Sequence, residues 1–208
     1  MTIIGITGGS GVGKTTALAT LADMGAYSID CDAVYHELLQ QNQAMTTEIG
    51  EKFPAAIQNG AINRKQLGTL VFSDKQALLD LNYITHKYVK QAVIQRIAAR
   101  RAKGNTRIAL EAVALIESGL ADLCAITVGL VAPLDMRIAR IVAREHISEA
   151  YAHLRIQSQQ PDTFYHAHCD MVINNNTQDV AEFAAMFREA VAAALPAVFA
   201  VDSVADTQ

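Results

Sequence analysis

The sequence predicts an α/β fold with three layers, in which a mostly parallel sheet of five strands lies between two layers of helices. Short apolar segments alternate with longer helical patterns, as parallel strands joined by covering helices require. The 208 residues are 51% hydrophobic and 18% charged, which excludes a disordered chain. This length suits one domain with a substantial core, or one domain that carries a small subdomain.

Five segments are strand candidates, because each is short, apolar and followed by a helical pattern or a turn signal. A short run without polar alternation is typical of a strand that is buried on both faces. The candidates are Ile3–Ile6, Ala26–Ile29, Arg107–Leu110, Ile126–Val131 and Met171–Ile173.

Helical patterns fill most of the intervals between these strands. The predicted helices are Lys14–Met24, Ala33–Gln41, Ala44–Lys52, Lys75–Arg101, Leu134–Glu145, Ser148–Ser158 and Asp179–Leu195. From about residue 41 to residue 101 the sequence contains no convincing strand, and this interval is longer than an ordinary crossover. We therefore expect a helical insertion over the carboxyl ends of the strands, where open α/β sheets bind ligands. The core then comprises residues 1–40 and 104–195, and residues 196–208 form a C-terminal tail.

Charge, cysteine content and hydropathy exclude several classes of protein. The formal net charge of −4 argues against a broad nucleic-acid surface. The three cysteines, Cys31, Cys124 and Cys169, are odd in number and far apart, which favours reduced thiols over a disulfide framework. No apolar run approaches the ~18 residues that span a membrane, and no basic leader is evident. The expectation is a cytoplasmic protein without a membrane partner, and its oligomeric state is left open.

Residues 8–15 match the phosphate-loop motif G-x-x-x-x-G-K-[ST] without a mismatch, between a predicted strand and a predicted helix. An ordinary glycine-rich turn is the alternative, but the strand and helix on either side favour a P-loop of the NTPase type. Lys14 would reach the β- and γ-phosphates, while the Thr15 hydroxyl would bind Mg²⁺. The predicted ATP-binding residues are Gly9, Ser10, Gly11, Val12, Gly13, Lys14, Thr15 and Thr16. Neither D-x-x-G nor N-K-x-D occurs in the sequence, so a small-molecule kinase is favoured over a GTPase.

Two carboxylates follow the second predicted strand. Asp30 and Asp32 lie where that strand ends, which in a doubly wound sheet is beside the phosphate loop. A carboxylate there could accept a proton from an attacking hydroxyl or orient that hydroxyl. Alternatively, either aspartate could cap the helix that begins near Ala33.

The chain resembles the dephospho-coenzyme A kinase family in ordered blocks from about residue 3 to residue 176. After the P-loop and Ile29-Asp30-x-Asp32, these blocks include Asn63-Arg64-x-x-Leu67, Leu81-Asn82-x-x-Thr85-His86, Arg140-x-x-x-Arg144-Glu145, Arg155-x-x-x-Gln159 and Cys169-Asp170-x-Val172-Ile173-x-Asn175. The resemblance implies transfer of the γ-phosphoryl group of ATP to the ribose 3′-hydroxyl of dephospho-coenzyme A. It also implies that the insertion, from about residue 41 to residue 103, binds this acceptor. Residues from about 146 to 168 would form a lid.

The same resemblance suggests roles for individual residues. Asp32 is the candidate base and an acceptor contact. Arg64 and His86 are candidate acceptor contacts, although His86 could equally be a hydrogen-bonded helix residue. Arg140 is the candidate catalytic cation and Arg144 a nucleotide contact, with a solvated basic helix face as the alternative.

Glu111 ends the third predicted strand and could hold Mg²⁺ through water, or could be a surface carboxylate or a cap.

The main departure from the family pattern is Tyr165, which stands where the lid usually has a basic residue. The lid therefore lacks a positive charge at a position where the family usually has one. Two other hypotheses therefore remain open from the sequence, a kinase of another nucleotide or small alcohol and a non-catalytic ATP-binding regulator.

Overall fold

A computed structural model of the chain describes residues 1–199. Its centre is a parallel sheet of five strands with helices on both faces, which confirms the predicted fold class. The strands are β1 (Thr2–Gly8), β2 (Tyr27–Asp30), β5 (Arg107–Glu111), β6 (Ile126–Val131) and β7 (Met171–Asn174). Their spatial order is β2-β5-β1-β6-β7, so the chain begins at the centre of the sheet and adds strands on both sides.

Side chains of the central strands alternate between two hydrophobic clusters, one on each face of the sheet. In β1, Ile4 and Ile6 join the cluster under helices α1 (Lys14–Asp23) and α9 (Val180–Ala194), whereas Ile3 joins the opposite cluster. That opposite cluster lies under helices α2 (Cys31–Gln41) and α5 (Lys75–Ala102). Since each fully buried isoleucine contributes about 1.5–3 kcal/mol, the two clusters hold β1 firmly in the centre of the sheet.

The insertion has a hydrophobic cluster of its own. The insertion contains α3 (Gln43–Lys52), a hairpin of β3 (Ile57–Gln58) and β4 (Ala61–Ile62), and α4 (Arg64–Ser73). The buried residues of this cluster are Met45, Ile49, Phe53, Ala56, Leu67, Val71, Leu81 and Ile84. The long helix α5 belongs to both parts, because its first half packs in this cluster and its second half packs on the sheet.

The expectation of no strand between residues 41 and 101 was wrong, because β3 and β4 form a short hairpin there. Asn59 and Gly60 have positive φ angles of 52° and 78°, which is the geometry of a tight two-residue hairpin turn. Strands of two residues are too short to show periodicity, so the Asn-Gly pair was the available signal. Helix α4 was not predicted as a separate element either.

Helix α6 (Leu134–Glu145) precedes the predicted lid of residues 146–168, which contains α7 (Glu149–Gln157) and α8 (Asp162–His168). Ile138, Ile141, Ala152 and Ile156 pack α6 against α7. Helix α7 also reaches the insertion, where the Tyr151 ring meets the Phe72 ring edge to face at 6.2 Å. Helices α4 and α7 are therefore in direct contact at this ring pair. Helix α8 was not predicted.

The described part of the C-terminal tail is α10 (Pro196–Phe199), and residues 200–208 of the predicted tail lie outside the described residues. Within residues 1–199, no helix combines the length and the apolar character that a membrane crossing requires.

Candidate active site

The phosphate loop connects β1 to α1 along residues 9–13. Gly13 is the N-cap of α1 in the left-handed conformation, with φ 104°, and no side chain caps this helix. A Cβ at Gly13 would lie 2.5 Å from the Asn175 amide nitrogen, so only glycine fits here without strain. The uncapped N–H groups at the positive end of the α1 dipole form an anion-binding site.

Lys14 begins α1 and folds back over the loop. Its Nζ donates to the Gly9 carbonyl at 3.1 Å and lies 3.6 Å from Glu111 Oε1. Thr15, the next residue, is exposed, so its hydroxyl is accessible to a ligand. The Lys14 ammonium group and the Thr15 hydroxyl therefore both lie where the loop meets α1.

Glu111 ends β5 beside the loop and is only 5% exposed, which excludes the alternative of a surface carboxylate. Its Oε1 is buried and has no hydrogen-bond partner among the described residues. Burial raises the pKa of Glu111 to about 7, against the lowering effect of Lys14, and the neighbouring charges of Asp32 and Asp30 raise it further. A buried, incompletely satisfied carboxylate next to the phosphate loop is a strong candidate for a ligand contact.

The two aspartates after β2 have different surroundings. Asp30 pairs in register with Glu111 and caps α2, since its Oδ1 accepts from the Ala33 N–H at 3.0 Å. Asp32, in the first turn of α2, is exposed. The capping role therefore belongs to Asp30, and the Asp32 carboxylate faces solvent at the carboxyl edge of the sheet.

Arg64 and His36 contact each other between helices α4 and α2. Arg64 starts α4, and its Nη2 lies 2.8 Å from His36 Nε2 on α2. The pKa of His36 is lowered by burial first and by the Arg64 charge second, so a neutral imidazole that accepts from Arg64 is favoured. The two side chains line a cavity of about 350 Å³ between α2 and the hairpin.

His86 lies on α5, away from that pair, and does not line the cavity. It is half-buried, and this burial lowers its pKa. The structure thus brings Arg64 together with His36 and not with His86.

Arg140 lies next to the phosphate loop and is hydrogen-bonded to it. Its Nη1 donates to the Gly11 carbonyl at 2.9 Å, and its Nη2 donates to the Thr177 carbonyl at 2.5 Å. Arg140 therefore fastens the loop to the segment that connects β7 to α9. Both of its terminal nitrogens thus contact main-chain oxygens, and the predicted catalytic role of Arg140 stays a prediction.

Arg144 is exposed at the end of α6 and pairs with Glu145 at 2.6 Å. Arg155 of α7 pairs with the other oxygen of the same carboxylate at 2.5 Å. Both arginines are therefore held by Glu145 at the junction of α6 and α7, at the base of the lid. In this arrangement, the Arg144 guanidinium stays with the lid and not with the loop.

The sequence interpretation missed Arg137, which lies one helical turn before Arg140 and directly on the loop. Its Nε donates to the Ser10 carbonyl at 2.9 Å, and its Nη2 donates to Gln159 Oε1 at 3.1 Å. Arg137, Arg140 and Arg144 have the spacing i, i+3, i+7, which places them on one face of a helix. This spacing could have identified Arg137 from the sequence. His36 was also missed, since a single histidine in a predicted helix carries no local signal.

Comparison with known proteins identifies similar sequences and folds. The family model described as dephospho-CoA kinase matches residues 2–181. A dephospho-CoA kinase of Dehalococcoides mccartyi is 39% identical over 178 residues, which are 85% of this chain and 89% of the relative. A crystal structure from Thermus thermophilus matches with a TM-score of 0.74 at 30% identity, over 93% of this chain and 97% of that one. A dephospho-CoA kinase structure from Campylobacter jejuni matches with a TM-score of 0.61 at 23% identity, over 91% and 94% of the two chains.

Proposed function

Because the chain belongs to the dephospho-CoA kinase family, we infer that it transfers the γ-phosphoryl group of ATP to the ribose 3′-hydroxyl of dephospho-CoA, which gives coenzyme A. The observation that carries this inference is the family match over residues 2–181, which includes the whole phosphate loop and Asp32. Of the three hypotheses that the sequence left open, the family match selects this kinase. The roles of individual residues below are proposals.

We propose that Asp32 positions the acceptor hydroxyl and accepts its proton. Its carboxylate is exposed at the carboxyl edge of the sheet, near enough to Glu111 to raise the pKa of that residue. In a loose phosphoryl-transfer transition state, such a base acts mainly by orienting the nucleophile in line with the phosphorus. Lys14 would neutralise charge on the phosphates, and the N–H groups of residues 9–16 would bind them.

Mg²⁺ fits the oxygen atoms that surround the loop. Thr15 offers an exposed hydroxyl, and Glu111 offers a buried carboxylate oxygen without a hydrogen-bond partner among the described residues. Mg²⁺ prefers oxygen ligands, and kinases usually hold it with one or two protein groups, the phosphates and water. When bound, the ion would neutralise charge on the phosphates.

We propose that the insertion of about 41–103 binds dephospho-CoA through the cavity at Arg64 and His36. The exposed Arg64 guanidinium spends one N–H group on the neutral imidazole of His36 and keeps its other N–H donors for the diphosphate of the acceptor. A second cavity of about 330 Å³ continues along the hairpin and shares the wall residues Leu39, Gln40, Ala61 and Ile62. Because they share these wall residues, the two cavities are adjacent, and we propose that the second one takes the rest of the acceptor. His86, which lines neither cavity, is retained only as an indirect contact.

For the lid of about 146–168, we propose that Arg144 is released from Glu145 when nucleotide binds. Two arginines share that one carboxylate, so the loss of one ion pair leaves the other in place.

We also propose a cytoplasmic location, and the free state of Cys31, Cys124 and Cys169 supports it.

The direct test is incubation of the purified protein with ATP, Mg²⁺ and dephospho-CoA, followed by mass spectrometry of the product. We expect one added phosphate on the ribose 3′-oxygen. Lys14→Ala is the control, and product no greater than in this control would overturn the proposal. Replacing dephospho-CoA with adenosine, shikimate or gluconate tests the specificity of the acceptor site.

A further inference from the structure

Arg137 is an unusual residue because its guanidinium is buried against the phosphate loop without a close counter-ion. It is 6% exposed, whereas arginine is almost never fully buried unless it is paired. Both of its hydrogen bonds go to neutral oxygens, those of Ser10 and Gln159. The Asp162 carboxylate is 3.9 Å away on a side chain that is 51% exposed, which is too long and too solvated to compensate the charge.

The positive charge of Arg137 persists in this site. Burial lowers the pKa of the guanidinium, but an arginine does not lose its proton in proteins. The group has five N–H donors, and the two hydrogen bonds in the structure engage only Nε and Nη2. A buried cation with unused donors, placed on a loop that binds phosphates, is best compensated by an anionic ligand.

The loop and the lid meet at the same guanidinium. Gln159 follows α7, and its Oε1 accepts from the Ser10 N–H at 2.8 Å as well as from Arg137. Its Nε2 donates to the Ser10 hydroxyl at 2.8 Å. These bonds close a ring of Ser10, Gln159 and Arg137. The fit is tight, since a Cβ on Gly9 would lie 2.1 Å from Arg137 Nη2.

Tyr165 shows why this charge matters to the lid. It occupies the position where the resemblance leads one to expect a basic residue, but it is 2% exposed and packs against β6 at Gly129. Tyr165 therefore brings no positive charge to the nucleotide. Arg137 is 28 residues earlier in the chain, yet it contacts the lid at Gln159 and the loop at Ser10.

We propose that Arg137 supplies the positive charge that the lid lacks at Tyr165, and that it positions Gln159 on the phosphate loop so that the terminal phosphate of ATP is selected. The charge acts on the phosphate that ATP has and ADP lacks. The hydrogen-bonded ring acts on the geometry of transfer. This proposal rests on the proposed function for the identity of the nucleotide, but not for the identity of the acceptor.

The test compares ATP and ADP binding by calorimetry for the wild type, Arg137→Gln and Arg137→Lys, with Mg²⁺ and without acceptor. A hydrogen bond to a charged group predicts that Arg137→Gln weakens ATP binding roughly 10- to 100-fold and ADP binding less than about threefold. Arg137→Lys keeps the charge and should preserve the ratio of ATP to ADP affinity within about threefold. It should still lower kcat about tenfold, because a lysine cannot reproduce the planar fork.

The matched control is Arg188→Gln, an exposed arginine of α9, which should leave both affinities unchanged. Equal weakening of ATP and ADP in Arg137→Gln would mean a merely structural role and would overturn the proposal. If Arg137→Gln does not fold, Arg137→Lys decides, and an unchanged kcat there would also overturn it. Because the affinity ratio is measured without acceptor, it remains readable even if the protein phosphorylates a different acceptor.

Discussion

Replacement of Glu111 by glutamine tests the electrostatics at the centre of the site. The pKa of Glu111 rises from 4.5 to about 7 in the folded protein, because burial disfavours the charged form more than Lys14 favours it. Between these values, the folded protein binds a proton that the unfolded chain has lost. The stability contributed by this group is therefore fully present below about pH 4.5 and is lost as the pH rises through 7.

The magnitude follows from the size of the shift. At 1.36 kcal/mol for each pKa unit, the whole effect is about 3 kcal/mol, of which roughly 2 to 3 kcal/mol falls between pH 5 and pH 8. Glutamine is nearly isosteric and does not titrate. We therefore expect Glu111→Gln to be more stable than the wild type at pH 8, and the difference to shrink at pH 5.

The assay is urea unfolding, followed by circular dichroism, of the wild type and Glu111→Gln at pH 5, 6, 7 and 8. The quantity of interest is the change in unfolding free energy with pH in one protein minus that in the other. Glu117→Gln is the control, because Glu117 is an exposed carboxylate of the next loop. Parallel pH profiles for the wild type and Glu111→Gln would show that Glu111 is ionised normally and would refute the reasoning.

Three further substitutions test the site. Asp32→Asn should lower kcat roughly 10²- to 10⁴-fold in a steady-state assay, since it removes the base, with the ATP dissociation constant within about threefold of wild type; a large loss of ATP affinity would contradict this role. Arg64→Leu should raise the KM for dephospho-CoA about tenfold or more while the KM for ATP is unchanged, because a charge-assisted contact is lost; equal effects on both substrates would argue against an acceptor site. Gly13→Ala should abolish measurable ATP binding in calorimetry, because φ is 104° and the new Cβ would lie 2.5 Å from Asn175 Nδ2; wild-type affinity would contradict the argument from close approach.

Much of the fold followed from local patterns. All five strands of the sheet, and the helices α1, α2, α3, α5, α6, α7 and α9, were predicted with ends that differ by at most two residues. Two of the missed elements are short. The hairpin at Asn59 and Gly60, and the seven-residue helix α8, give too few residues for a periodic pattern to appear. Helix α4 was also missed, although its ten residues are as many as those of the predicted helices α1 and α3.

The site divides in the same way. The phosphate loop is contiguous, so its motif and the flanking strand and helix were legible in the sequence. The sequence also placed Asp30 and Asp32 at the end of β2, but only the structure decided that Asp30 caps α2 while Asp32 stays exposed. That choice depends on backbone geometry at one turn, and both residues have the same chemistry.

Sequence alone therefore determined the layered fold and the phosphate chemistry of this protein, since short-range periodicity and one contiguous motif specify them. Tertiary structure alone decided the contacts between distant residues: the meeting of Arg64 with His36, the burial of Glu111, and the placement of Arg137 on Ser10, 127 residues away. The physical reason is that desolvation and Coulomb interactions depend on distance in space. Packing of α6 over the loop brings a guanidinium to a position that no local pattern specifies.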